Sequence, residues 1–72
     1  MNDQELEKIA SLLLSEDERA VGFSIVADSQ NNIILLKNNN RIAWFSKVLS
    51  IESLKVSINV IKAYESEAVF PV

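Results

Sequence analysis

The chain contains no cysteine and no histidine, and it has one glycine, one proline and one tryptophan among its 72 residues. Without cysteine it cannot form a disulfide bond, and without either residue it cannot build the Cys/His zinc sites of many small domains. Its serines also lack the histidine that activates the nucleophile of a triad. One glycine is too few for a phosphate-binding loop. We therefore expect no enzyme activity, no cofactor and no metal ion.

Long apolar runs are also missing, because no stretch approaches the roughly 18 residues that a membrane span needs. The first ten residues, "MNDQELEKIA", are acidic and polar, unlike a secretory signal. These features predict a cytoplasmic protein that does not contact a membrane.

The length allows a single domain over residues 1–72, with a thin margin of stability. Hydrophobic residues make up 49% of the chain, which is typical of a globular protein. Small domains commonly need extra stabilisation from disulfides, metals or association. Since the first two are excluded or unexpected, association with another chain is the remaining source.

The net charge of −3 is unevenly distributed. Residues 1–32 hold seven acids and two bases, net −5, whereas residues 33–50 hold three bases and no acid, net +3. Residues 51–72 hold three acids and two bases, net −1. The one basic segment is "IILLKNNNRIAWF" with the few residues that follow it.

Helix and strand patterns occupy most of the chain. Apolar residues at helical spacing predict a helix over residues 3–15, with Asn2 as its N-cap. "SEDER", residues 15–19, is expected to be a charged connection. Alternation predicts a strand over residues 20–28, and "SQNN" is typical of a turn.

The segment "IILLKNNNRIAWFSK" predicts two strands, 33–37 and 41–47, joined by a tight turn. Asparagine is the best residue after glycine for the positive φ values that short hairpin turns require. With the preceding strand, this hairpin predicts a three-stranded antiparallel meander.

Residues 50–68 fit two structures. As a strand, residues 54–61 alternate between apolar and polar side chains. As a helix, the polar side chains form one narrow stripe, and Ser50 is a suitable N-cap. We favour the helix, which gives a small α+β domain of order α-β-β-β-α; the alternative is α-β-β-β-β.

The strands are apolar on both faces. One parity holds, for example, Phe23, Ile25, Ile33, Leu35, Ile42 and Trp44, and the other holds Val26, Ile34, Leu36, Ala43 and Phe45. Two helices side by side can cover only one face, and a solvated second face should be mostly polar. The C-terminal helix is also apolar over more of its circumference than a surface helix needs.

This surplus predicts an interface, and a homodimer is the commonest assembly. The alternative is a three-layer monomer with one helix on each sheet face. The function predicted is a small non-catalytic interaction or regulatory domain. The candidate interface residues are Ile34, Leu36, Phe45, Val56, Val60 and Tyr64.

The basic segment supplies a second set of candidates, Lys37, Arg41 and Lys47, which lie near Trp44 and Phe45. Bases among aromatics can bind single-stranded nucleic acid, but an acidic chain repels it, so this alternative is disfavoured. The bases could also contact an acidic protein surface or protect sheet edges. In a further alternative, the acidic N-terminal region makes the protein an inhibitor or nucleic-acid mimic that binds a basic partner.

Overall fold

The computed structural model describes residues 2–67, which form an α+β domain with the predicted element order and one additional short helix. Met1 and residues 68–72 lie outside this description. The elements are α1 (Asp3–Leu13), α2 (Glu16–Ala20), β1 (Phe23–Ala27), β2 (Ile33–Lys37), β3 (Asn40–Phe45) and α3 (Ile51–Glu67).

Several boundaries differ from the predictions. The strands predicted over residues 20–28 and 41–47 are Phe23–Ala27 and Asn40–Phe45. The first helix ends at Leu13, and the charged segment that was expected to be a connection forms α2. A capping box explains this helix: the Glu18 N–H donates to the Ser15 hydroxyl oxygen (3.1 Å), and the Ser15 N–H donates to the Glu18 carboxylate (2.8 Å). "SEDER" therefore supplies the N-cap and the first four residues of α2.

The helix prediction for the C-terminal segment is confirmed, and the alternative of a fourth strand at 54–61 is wrong. The Ser53 N–H donates to the Ser50 hydroxyl oxygen at 3.1 Å, so Ser50 is the N-cap as expected. Ala68, the last residue of the predicted segment, lies outside the described residues. Asn2 likewise caps α1 by accepting a hydrogen bond from the Glu5 N–H.

The three strands form one antiparallel sheet in the order β1-β2-β3. The β2–β3 turn has two residues, Asn38 and Asn39, with φ values of 52° and 67°. Two positive φ values are the signature of the type I′ turn, whose twist matches that of the strands it joins. The asparagine run thus has the role predicted for it.

A bulge sets the side-chain directions of β3. Leu35 pairs with Ala43 but Leu36 pairs with Arg41, so Ile42 is an extra residue on β3. Ala43 and Phe45 therefore face the core, and Trp44 faces away from it. The example grouping above, in which Trp44 shares a face with Leu35 and Ile42, does not hold for Trp44, because alternation alone does not reveal the bulge.

The core lies between one sheet face and both long helices. Buried side chains from α1, the sheet and α3 form a single cluster, with Ile42, Ala43 and Phe45 packed against it. The protein thus has two layers, with no described helix on the other sheet face. The buried members are Ala10, Leu13, Leu14, Phe23, Ile25, Ile33, Leu35, Leu54 and Ile58.

Within residues 2–67, none of the helices has both the length and the apolar character needed to cross a membrane.

We predict that Gly22→Ala destabilises the fold. Gly22 has φ +112°, and an added Cβ would collide with the Asn38 side-chain oxygen. The Gly22 carbonyl also accepts the Asn38 N–H at 2.9 Å, which anchors β1 to the hairpin turn. We expect a loss of about 1–3 kcal/mol in the free energy of unfolding, measured by urea denaturation.

The double variant Gly22→Ala/Asn38→Gly separates the two causes. Removing the Asn38 side chain relieves the collision but not the backbone strain, so part of the loss should be recovered. A double variant no more stable than Gly22→Ala would contradict the collision.

Candidate interaction surface

Exposed large apolar side chains are concentrated in residues 48–64, at and along α3. Three of them, Val56, Val60 and Tyr64, are spaced by four residues and are 64%, 65% and 72% exposed. Residues at this spacing lie on one side of a helix, and we call this set the α3 stripe. The others in this segment are Val48, Leu49 and Ile51.

The buried Leu54 and Ile58, together with Lys62, determine which side of α3 faces the rest of the domain. The Lys62 ammonium donates to the carbonyl oxygen of Leu13, at the C-terminal end of α1, at 2.9 Å. It also lies 2.9 Å from both carboxylate oxygens of Glu18 on α2. The Lys62 side chain is only 12% exposed. This contact turns one side of α3 towards α1 and α2.

The Glu18 carboxylate is ionised against a cost of burial. Desolvation raises its pKa, but the hydrogen bond from Lys62 and the N–H of Ser15 outweigh that effect and hold the pKa below its ordinary value. The charge of Glu18 therefore strengthens the contact that joins α2 to α3.

The direction of the α3 stripe follows from this geometry. Val60 is two residues before Lys62, so the two side chains project about 200° apart around the helix. Since Lys62 points towards α1 and α2, Val60 points away from them. α1 packs against both β1 and α3. The α3 stripe thus lies on the side of α3 that is turned away from α1 and α2.

The second sheet face also carries apolar side chains. In the register, Val26, Ile34 and Trp44 lie side by side across the three strands. Ile34 is only 5% exposed, whereas Trp44 is 55% exposed. We call this face, with Ser24, Val26, Ile34, Leu36 and Trp44, the open face. Its middle residue is covered by its neighbours, and the tryptophan ring forms much of its surface.

The Trp44 ring is oriented by Asp28, at the far end of β1. The indole N–H donates to one Asp28 carboxylate oxygen at 3.4 Å, and the N–H groups of Gln30 and Asn32 donate to the other at 2.8 and 2.9 Å. The Asn32 N–H is the largest of the causes that hold the pKa of Asp28 below its ordinary value. Trp44 therefore reaches across β2 towards a fixed, ionised acceptor.

The three basic candidates do not form a cluster. Lys37 lies on the helix-covered face, with its ammonium 5.0 Å from the centre of the Phe23 ring. Arg41 is exposed at the start of β3, and Lys47 follows the other end of that strand. The Lys47 backbone N–H donates to the Asn32 side chain at 3.0 Å. This arrangement does not gather their charges into one binding site.

The six interface candidates fall into three groups. Val56, Val60 and Tyr64 form the exposed α3 stripe. Ile34 and Leu36 lie on the open face, with Ile34 buried and Leu36 half-buried, while Phe45 is half-buried against the core. Trp44 is exposed but was not among these candidates, because its direction depends on the bulge in β3.

A groove of about 480 Å³ lies between α2, the start of β1 and α3. Its most buried charged group, Lys62, is already bound to Glu18 and to the end of α1. The groove therefore has a structural explanation, and its lining does not present a set of convergent free groups for chemistry.

Comparison of the chain with protein-family models, with curated proteins and with solved structures finds no match.

We predict that Lys62→Met lowers the free energy of unfolding by about 1–2 kcal/mol, because it removes the ammonium that donates to the Glu18 carboxylate and to the Leu13 carbonyl. The methionine keeps most of the apolar stem. Lys55→Met, two turns earlier on the same helix at an exposed position, is the matched control and should change stability by less than about 0.5 kcal/mol.

The contact between Glu18 and Lys62 also makes the free energy of unfolding depend on pH. Because the pKa of Glu18 is lowered on folding, its stabilisation is present above the unfolded pKa of about 4.3 and is lost as pH falls through the folded value. Between about pH 5 and pH 2, the wild type should therefore lose more stability than Glu18→Gln. Parallel losses in the two proteins would contradict this assignment.

Proposed function

We propose that this protein is a small non-catalytic interaction domain that acts as a homodimer, with the α3 stripe at the centre of the contact. The observation that carries the proposal is the exposure, by about two-thirds, of three apolar side chains in one row. Such a row on an 8.1 kDa domain is what an interface leaves visible when its partner is removed.

The composition of the α3 stripe favours a second copy as its partner. Val56 and Tyr64 each lie four residues from Val60, one turn before it and one turn after it. Two antiparallel helices related by a twofold axis at Val60 can therefore bring each Val56 near the other Tyr64. The neighbouring Ser53 and Ser57 are small, which permits close approach. A twofold contact uses the same surface on both copies, as this arrangement requires.

The charge pattern of α3 is compatible with this contact. Its bases, Lys55 and Lys62, lie on the other side of the helix from Val60, by about 140–200°. No charged residue on this side of α3 therefore lies between Val56 and Tyr64. Glu52, one turn before Val56, is exposed at the end of the α3 stripe and stays at the rim of the proposed contact.

We expect the wild type to sediment as a dimer at tens of micromolar. Val60→Glu should weaken the dimer by at least about tenfold in Kd, because it places two carboxylates in an apolar contact. Analytical ultracentrifugation over a dilution series measures both.

Lys55→Glu is the control on the other side of the same helix. It changes the net charge by more than Val60→Glu does, yet its dimer should have a Kd close to that of the wild type. A wild type that is monomeric throughout the series, or equal weakening by the two variants, would contradict the proposal.

A further inference from the structure

The groove between α2, the start of β1 and α3 has apolar walls that none of residues 2–67 fills. Val21, just after α2, is 59% exposed, and Ala63 on α3 is exposed on the other wall. The buried Phe23 also contributes to the lining. The volume of about 480 Å³ lies within the range of about 300–1,000 Å³ that is usual for binding pockets. The groove can therefore hold a short apolar segment.

The charged groups of the groove do not require a charged occupant. Lys62 donates to the Glu18 carboxylate at 2.9 Å, so these two charges already balance each other. Asp17, the third charged residue of the lining, is exposed and keeps its contact with water. An uncharged segment can therefore lie between Val21 and Ala63 without creating an unpaired buried charge.

The chain that follows α3 has the chemistry that this groove accommodates. Residues 68–72 are Ala-Val-Phe-Pro-Val, and they come directly after Glu67, the last residue of α3. All five are apolar and none carries a charged side chain. Pro71 lacks the N–H of a helical residue and disfavours helical backbone angles at Phe70. The chain therefore leaves the path of α3 within this segment.

The groove is within reach of residues 68–72. Ala63 is four residues before Glu67, which is about 6 Å along the helix axis. An extended chain spans up to about 3.5 Å per residue, so the three steps from Glu67 to Phe70 can cover about 10 Å. A chain that turns back after α3 can therefore bring Phe70 to the level of Ala63.

The groove offers this segment more contact than the α3 stripe does. The α3 stripe is the outer surface of a single helix, whereas the groove is lined by α2, α3 and the start of β1. A phenylalanine side chain removes about 150–250 Å² from water when it is surrounded by protein. A concave site with walls from three elements can provide that burial, and a single helix surface cannot.

We propose that residues 68–72 turn back after α3 and occupy the groove, with the Phe70 ring between Val21 and Ala63. The exposed side chain of Asn59 also lines the groove, and its amide can both donate to and accept from the backbone of this segment. The proposal does not depend on the homodimer, because the groove is separate from the α3 stripe.

This contact has a consequence for the stability of the domain. A chain of this size has a thin margin of stability, and each apolar side chain that it covers adds to that margin. The docked segment covers Val21, which is exposed among residues 2–67, and it connects the end of α3 to α2. The contact therefore stabilises each copy of the chain, whether or not two copies associate.

NMR locates the segment directly. In Val60→Glu, at a concentration at which sedimentation shows a monomer, every contact lies within one chain. The ring protons of Phe70 should give NOE cross-peaks to the methyl groups of Val21 and Ala63. Cross-peaks from Phe70 to Tyr64 in place of these, or an absence of cross-peaks from Phe70 to the groove, would overturn the proposal.

A double-mutant cycle measures the contact itself. Phe70→Ala and Val21→Ala are made singly and together, and urea denaturation of the monomer gives the equilibrium constant of unfolding. Because residues in contact are not independent, the effect of Phe70→Ala should be at least about threefold smaller in Val21→Ala than in the wild type. The control cycle pairs Phe70→Ala with Tyr64→Ala on the α3 stripe, where the two effects should multiply to within about twofold.

The outcomes separate this proposal from the homodimer. Coupling of Phe70 to Tyr64 without coupling to Val21 would overturn docking in the groove, and it would also contradict the homodimer, since the segment would then cover the α3 stripe. An absence of coupling to either residue would overturn docking alone, and the homodimer would still be tested by sedimentation.

Discussion

The hydrogen bonds of Lys62 join α3 to α1 and α2, and they help to determine which side of α3 is exposed. Its ammonium holds the end of α1 and the carboxylate of Glu18 at once, both at 2.9 Å. Three helices are thereby joined on one side of α3, and the opposite side is left exposed. Burying a lysine costs free energy unless its donors are satisfied, so this contact favours one orientation of α3. The burial of Leu54 and Ile58 in the core favours the same orientation, which leaves Val56, Val60 and Tyr64 exposed.

Much of the fold could be predicted from local sequence. The helix caps at Asn2 and Ser50 and the asparagine turn at residues 38–39 each depend on neighbours within a few positions, so a short stretch of sequence is enough to predict them. The C-terminal helix was harder, because its β-branched residues also suit a strand; its single polar stripe favoured the correct structure. α2 was missed because its acidic residues resemble a solvated loop, although Ser15 and Glu18 have the spacing of a capping box.

The candidate surface was predictable only in part. The excess of apolar residues is visible in the sequence, and the α3 residues proposed from it are all exposed. The direction of Trp44 could not be predicted, since a single extra residue in β3 reverses which side chains face the core. The three bases are close in sequence, yet strand pairing separates them.

The central claim is that a second copy covers the apolar side of this domain. Its most direct test is an isotope-filtered NOE measurement on a mixture of labelled and unlabelled protein, which detects only contacts between different copies. The account predicts cross-peaks from the Tyr64 ring of one copy to the Val56 or Val60 methyl groups of the other. An absence of such cross-peaks in a sample that tumbles as a monomer would contradict it.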